Sequence, residues 1–228
     1  MRKFFTTLVG FPLRVATQWY LSKTRIFRYD ALRIRVSSGV FHPGFFFSTR
    51  YLLSFLKTQQ LTGKKFLELG CGSGVISVFA AKKGARVTAC DINEKAVADA
   101  TENGLFNKVP LTVVHSDLFS NLTESFDWIV INPPYYPADP KDEAQHAWYC
   151  GEHHQYFERL FSDVGKYTTQ DGKVLMILSE VCDLQTIFNI AAKHKFAFET
   201  ISERNVWADG KNYLYWIVPS KHLSKSEV

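Results

Sequence analysis

Lys65-Phe66-Leu67-Glu68-Leu69-Gly70-Cys71-Gly72-Ser73-Gly74-Val75-Ile76-Ser77-Val78-Phe79-Ala80-Ala81 decides the fold. The first five residues read as a short buried strand, the three alternating glycines as a tight turn, and the run from Val75 as the start of a helix. Such a strand–turn–helix aims the free N–H groups of a helix start at an anion. Arg86-Val87-Thr88-Ala89-Cys90 is the next strand and ends on Asp91. That carboxylate follows the first glycine by about 20 residues, the spacing at which an acidic side chain accepts from both hydroxyls of a ribose. The pattern is Gly-x-Gly-x-Gly, one residue shorter than the dinucleotide fingerprint. With the flanking elements and Asp91 it implies a nucleoside-type cofactor.

Further on, the apolar run Phe126-Asp127-Trp128-Ile129-Val130-Ile131 reads as a buried strand and meets Asn132-Pro133-Pro134-Tyr135. Neither proline has a backbone donor, and Asn132 is pushed away from helical angles by the ring that follows it. The chain therefore turns rigidly at a strand's carboxyl end, where open α/β sheets place their ligands. Asn132 to Tyr135 there could hold a planar amino nitrogen for alkylation.

The remaining elements alternate. Helices are expected over Ser48 to Lys57, Asn93 to Asn103 (alanines and Val97 inward), Phe157 to Tyr167 and Leu184 to Lys193. Strands are expected over Leu111 to Val114, Lys173 to Leu178, Phe196 to Trp207 and Tyr213 to Val218, the last two joined around Asp209-Gly210. Alternating βα units ending in a hairpin predict an α/β fold: a three-layer α/β/α Rossmann-like sandwich with a mostly parallel sheet and a C-terminal antiparallel hairpin.

The 228 residues are 46% hydrophobic and 21% charged, which suits one large core. Cys71, Cys90, Cys150 and Cys182 form no Cys-x-x-Cys pair and read as reduced thiols of a cytoplasmic protein. No metal is expected: the Cys150-Gly151-Glu152-His153-His154 stretch lacks a second ligand cluster and reads as a loop-to-helix junction. His115, at a strand end, reads as structural.

Charge is uneven. Eight Lys and Arg face one acid up to Arg35, whereas the remainder carries nineteen bases against twenty-one acids, so the net +5 is N-terminal. Arg25-Ile26-Phe27-Arg28 and the alternating Leu32-Arg33-Ile34-Arg35-Val36 predict a hairpin turning near Asp30, its second strand showing Arg33 and Arg35 on one face. Such a face could meet RNA, the ribosome or an acidic protein, or simply be solvated. Phe4 to Tyr20 carries a broad apolar helical stripe, too short and interrupted to span a bilayer; packing on the body or on a partner is expected. The division expected is residues 1–39 as a basic extension of helix plus hairpin, 40–220 as the catalytic domain, and 221–228 as a tail.

Glu68-Leu69-Gly70-Cys71-Gly72-Ser73-Gly74, Asp91-Ile92-Asn93, Ser116-Asp117-Leu118-Phe119 and Asn132-Pro133-Pro134-Tyr135, in this order and spacing, resemble the successive motifs of class I S-adenosylmethionine-dependent methyltransferases. The likeness runs roughly from Val40 to Pro219 and is nearest to the HemK-like, amino-methylating branch: release-factor glutamine methyltransferases and small-domain relatives acting on RNA. The resemblance implies S-adenosyl-L-methionine as cofactor. It places Gly70, Cys71, Gly72 and Gly74 around the methionine end with their N–H groups on its carboxylate, and Glu68 near the cationic amino acid moiety. Asp91 would take the ribose, Ile92 and Leu118 the adenine faces, and Asp117 the adenine amino group. Asn132, beside the cofactor, and the Pro133 carbonyl would accept from the target NH₂, with Pro134 stiffening the corner and Tyr135 stacking on the target.

In the family the segment before the first helix carries an acid before a threonine. Here Val40 to Thr49 has phenylalanines instead, with Pro43 and Thr49 still expected to border the cofactor. Trp148-Tyr149-Cys150-Gly151 partly echoes a stretch of the glutamine enzymes, and the Tyr136 to Trp148 loop should gate the target. The implied substrate is macromolecular: a protein glutamine of release-factor type, or an adenine or guanine amino group in RNA or DNA. A partner subunit could bind through the N-terminal helix. From another class, a cofactor-binding scaffold without turnover stays open.

Overall fold

A computed structural model describes residues 20–206 and 210–220. Its main sheet has seven strands: β3 (Lys65–Leu69), β4 (Arg86–Asp91), β5 (Thr112–His115), β6 (Phe126–Ile131), β7 (Thr168–Ser179), β8 (Phe196–Val206) and β9 (Gly210–Pro219). Their spatial order is β5-β4-β3-β6-β7-β9-β8. The first five are parallel, and β9 is antiparallel to both β7 and β8. The helices are α1 (Phe47–Leu56), α2 (Val75–Lys82), α3 (Glu94–Phe106), α4 (Gln155–Asp163) and α5 (Leu184–Lys193).

Strand alternation builds two cores. Phe66, Trp128, Val130, Leu175 and Ile177 face α1 and α2, whereas Leu67, Ile129, Ile131 and Met176 face α4 and α5. This is the expected three-layer sandwich, and both central faces are covered, as a parallel sheet requires. Chain order reverses between β3 and β6. Leu69 there lies in register with Cys90 on one side and Ile131 on the other. The glycine turn, Asp91 and the Asn-Pro-Pro-Tyr corner therefore leave the sheet side by side at its switch point.

Several boundaries move. Strand β7 begins at Thr168, because Thr168 pairs with Phe126 before a register shift resumes the ladder at Lys173 and Trp128. Thr168-Thr169-Gln170-Asp171-Gly172, ahead of the strand expected over Lys173 to Leu178, is a bulged strand entrance. The helix expected over Phe157 to Tyr167 starts earlier and tightens to a 3₁₀ turn over Val164–Tyr167. On α3 the inner face is Ala96, Asp99, Ala100, Asn103 and Gly104; Ala98 is exposed and Val97 only half-buried. Trp207, Asp209, the Phe4 to Trp19 stretch and residues 221–228 lie outside the described residues.

The N-terminal hairpin forms as expected, from β1 (Arg25–Tyr29) and β2 (Leu32–Val36) around Asp30 at φ 47°. Its inner side, Phe27, Leu32, Ile34 and Val36, joins the α1–α2 core. The outer edge of β2 is completed by a helix. Asp99 accepts from the Ser37 N–H at 2.5 Å, Asn103 from the Arg35 N–H at 2.7 Å and Asn107 from the Arg33 N–H at 3.2 Å. The Asn103 and Asn107 amides also donate to the Arg35 and Arg33 carbonyls at 2.7 and 2.9 Å. The match works because four helical residues rise about 6 Å and two strand residues about 6.8 Å.

Asn103 reaches further, donating to the Ser73 carbonyl of the glycine turn at 2.9 Å. It is 1% exposed, so Asn103→Ala leaves three backbone groups without their partner. We expect a loss of roughly 2–4 kcal/mol in urea denaturation; a shift under about 0.5 kcal/mol would refute this role.

Candidate active site

A cleft of about 360 Å³ opens at the carboxyl ends of β3, β4 and β6. It is lined by Glu68, Gly70, Cys71, Gly72, Asp91, Ile92, Asp117, Leu118, Asn132, Pro133, Pro134 and Tyr135. Pro43, Thr49 and the loop residues Tyr136, Pro140 and Trp148 line it too. Gly74 does not. It caps α2 at φ 74°, and a Cβ there would sit 2.8 Å from the Ala100 Cβ, so its glycine serves the close approach of α2 and α3.

Four of the turn's five N–H groups have protein acceptors. Gly70 and Cys71 N–H both donate to the Cys90 carbonyl at 2.9 Å, Gly72 N–H to Asp91 Oδ2 at 2.8 Å, and Gly74 N–H to the Cys71 carbonyl at 2.8 Å. Toward the cleft the turn presents curvature and bare backbone. Gly70 shows why, because at φ 75° no protein atom lies within 4 Å of where its Cβ would be. A ligand can lie directly on that wall.

Two carboxylates floor the cleft. Asp91 Oδ1 accepts from Asn93 N–H at 2.9 Å, so both its oxygens are aimed by backbone while burial raises its pKa. Glu68 is 5% exposed and accepts from the Ser77 N–H and hydroxyl at the start of α2. Burial, with a smaller contribution from nearby Asp91, pushes its pKa up to about 8. Buried acids held this way suit a cationic ligand.

At one side Ile92 and Leu118 (φ 51°) form an apolar slot. Ser116 fixes it by donating to the Leu118 carbonyl at 2.8 Å while accepting from Asn121 N–H at 3.0 Å. Asp117 pairs with Arg159 of α4 at 2.8 Å. Tyr156 also lines this region, and neither it nor Arg159 carried a sequence signal beyond lying at the start of an amphipathic helix.

The corner is rigid beyond its prolines. Tyr135 and Tyr136 N–H both donate to the Trp148 carbonyl, at 3.0 and 2.8 Å, and Cys150 N–H donates back to Tyr136 at 2.9 Å. The Tyr135 hydroxyl donates to Asn132 Oδ1 at 2.8 Å, and Asn132 Nδ2 donates to Ser48 Oγ at 3.3 Å. Opposed bonds thus set the amide's orientation. Its carbonyl oxygen keeps a second lone pair for another donor. Ser48 is 2% exposed in the first turn of α1, and sequence reading missed it because the contact spans 84 residues.

An aromatic wall faces the corner. Phe41 and Phe46 stack at 4.7 Å, and Trp148 lies 5.4 and 5.0 Å from them. The phenylalanine-rich Val40 to Thr49 segment is where that signal sat. His115 is structural, its Nε2 bonded to the Ile92 carbonyl at 2.7 Å. Among the described residues no helix is long and apolar enough to cross a membrane.

Comparison with known proteins agrees with this architecture. The profile of the family described as Methyltransferase small domain matches residues 31–203. A Methanocaldococcus jannaschii protein, provisionally named protein N5-glutamine methyltransferase, is 28% identical over 198 residues, covering 80% of this chain and 98% of that one. The chain spans only 58% of the matched Thermotoga maritima ribosomal protein L11 methyltransferase. Among solved structures, the Encephalitozoon cuniculi Mtq2–Trm112 complex, responsible for methylation of the eRF1 translation termination factor, superposes with TM-score 0.60 at 21% identity over 80% of this chain and 99% of the other. The Thermus thermophilus 16S rRNA N2 G1207 methyltransferase, bound to S-adenosylmethionine and guanosine, gives 0.61 at 19% identity over 85% and 49%.

Proposed function

The chain belongs to the methyltransferase small domain family and is an S-adenosylmethionine-dependent methyltransferase; on that premise we propose that it methylates the side-chain amide nitrogen of a protein glutamine. The observation that carries this reading is the register of Leu69 with both Cys90 and Ile131, which brings Asp91 and Asn132 to one cleft. S-adenosylmethionine supplies an electrophilic methyl group on a sulfonium. Glu68 and Asp91 hold the donor's cationic and ribose portions, Ile92 and Leu118 its adenine, and Asp117, oriented by Arg159, the adenine amino group.

A carboxamide nitrogen is a weak nucleophile because its lone pair is delocalised. Asn132 Oδ1 and the Pro133 carbonyl accept from its two N–H groups, localise the lone pair and stabilise the positive charge that develops. The methylated nitrogen then loses its proton to water, so no general base is required. Glutamine is favoured over a base amine by the relative matched along nearly its whole length and by exposed Asp139 and Glu143 on the cleft. Carboxylates there repel a phosphate backbone. The aromatic wall of Phe41, Phe46 and Trp148 supports a second reading, a purine amino group stacked on rings.

Tritiated methyl transfer into cell extract separates the readings. Protease-labile label is expected, nuclease-labile label would establish the second, and no transfer at all would overturn both. We further propose a catalytic domain over residues 40–220 preceded by a basic extension, cytoplasmic placement in keeping with four unpaired buried cysteines, and a partner subunit, as Mtq2 has in its complex.

Glu68 gives the proposal a pH signature. Its folded pKa of about 8 stands above its ordinary 4.5, so the stability it contributes is complete below 4.5 and is lost as pH rises through 8. A cation bound beside it reverses that preference and expels a proton. S-adenosylmethionine affinity should therefore rise by up to about tenfold per pH unit between roughly 6 and 8. Calorimetry should find Glu68→Gln flat over that window; an equally steep dependence in the variant would remove Glu68 from the donor site.

A further inference from the structure

We propose that the outer face of the β1–β2 hairpin binds an RNA phosphate backbone at a site separate from the cleft. Arg28 and Arg33 lie directly opposite each other in the hairpin and both point outward. Like charges facing one another across a strand pair are destabilising unless something compensates them. No carboxylate among the described residues does so. Asp30 is paired with Lys57, while Asp99 and Glu102 both engage Arg35. Among the described residues Arg28 and Arg33 have no ion-pair partner.

The face also carries a ring. Phe106, 58% exposed at the end of α3, lies under the Arg33 guanidinium at 5.2 Å, and Lys108 follows two residues later. Guanidinium forks match phosphate oxygens in pairs. An exposed ring beside them gives bases a stacking surface that a carboxylate-bearing peptide does not use. A membrane would want a broad apolar wedge; here the exposed apolar side chains are Ile26, Leu105 and Phe106, with Arg33 lying over the Phe106 ring. The cleft has the opposite character, with exposed Asp139 and Glu143. Polyanion docking and methyl transfer thus fall on different surfaces, as a protein substrate presented on RNA would require. This inference holds or fails independently of the glutamine reading.

The test uses the full chain and a fluorescein-labelled single-stranded RNA 20-mer, followed by anisotropy from about 50 to 200 mM salt. Binding should weaken linearly in log salt. The double substitution Arg28→Gln with Arg33→Gln should weaken binding at least tenfold at low salt and flatten the slope by about 1.4, or 0.7 per lost phosphate contact. Phe106→Ala should lower affinity several-fold with the slope unchanged. Circular dichroism melts no lower than wild type, raised for the double variant by loss of the like-charge pair, and unchanged S-adenosylmethionine calorimetry confirm that the variants are folded. Absence of RNA binding at 50 mM salt, or a double variant that binds RNA like the wild type, would overturn the proposal. So would arginine-dependent binding to phosphatidylserine vesicles or polyglutamate without binding to RNA.

Discussion

Asn132→Ala should lower turnover by at least a factor of roughly 10²–10³, with S-adenosylmethionine affinity within about twofold of wild type. The size follows from what one well-aimed acceptor contributes when charge develops in a site shielded from water. Asn132 Oδ1 is such an acceptor. Tyr135 holds it from one side at 2.8 Å, and Ser48 anchors the amide's other end at 3.3 Å, so it does not reorganise as the target arrives. Alanine removes the acceptor but leaves the prolines and the Trp148 backbone pins that shape the corner. Affinity for the donor should persist, because Asp91 and Glu68 stand on other strands. Single-turnover methylation beside calorimetry measures both quantities. A variant with near-normal rate would end the role assigned to this amide, and one that loses donor affinity in parallel would move it to the cofactor side.

Asp91→Ala should raise the dissociation constant for S-adenosylmethionine about a hundredfold, which corresponds to roughly 3 kcal/mol. Hydrogen bonds to a charged acceptor are each worth about 1.5–3 kcal/mol, and a ribose presents two donors to this carboxylate. There is a local cost as well. Asp91 accepts from Gly72 and Asn93 N–H, so the substitution also loosens the glycine turn and the start of α3. Asp91→Asn separates these contributions: it retains an acceptor for one N–H, and its affinity should fall between the two. Unchanged affinity in the alanine variant would exclude contact with the ribose.

Local signals made much of this legible. The glycine turn, the strand ending on Asp91 and the proline corner are each written in consecutive residues, and backbone restrictions at Gly and Pro leave few alternatives. Their convergence was legible too, since βα alternation fixes a parallel sheet whose carboxyl ends share one edge. The chain could not show contacts between distant polar residues. Ser48 reaching Asn132, and Asp99, Asn103 and Asn107 reaching β2, depend on tertiary approach rather than on pattern. Val97 and Ala98, expected inward, are half-buried and exposed, whereas Asp99 and Asn103 are 1% exposed, because an apolar pattern cannot reveal a polar inner face. The acceptors of the turn were illegible for the same reason: Gly70, Cys71 and Gly72 N–H reach Cys90 and Asp91 on the neighbouring strand.

The helix that finishes the hairpin's edge has a consequence for how this chain can vary. Deleting or inserting one residue between positions 99 and 107 swings everything beyond it by about 100° around the helix axis. One or two of the three rungs would then point elsewhere, and β2 would present bare peptide groups. Loops such as 136–148 can absorb length changes, but this stretch of α3 should be closed to them. Substitution is tolerated there only by side chains that keep an acceptor at 99, 103 and 107 and a donor at the last two.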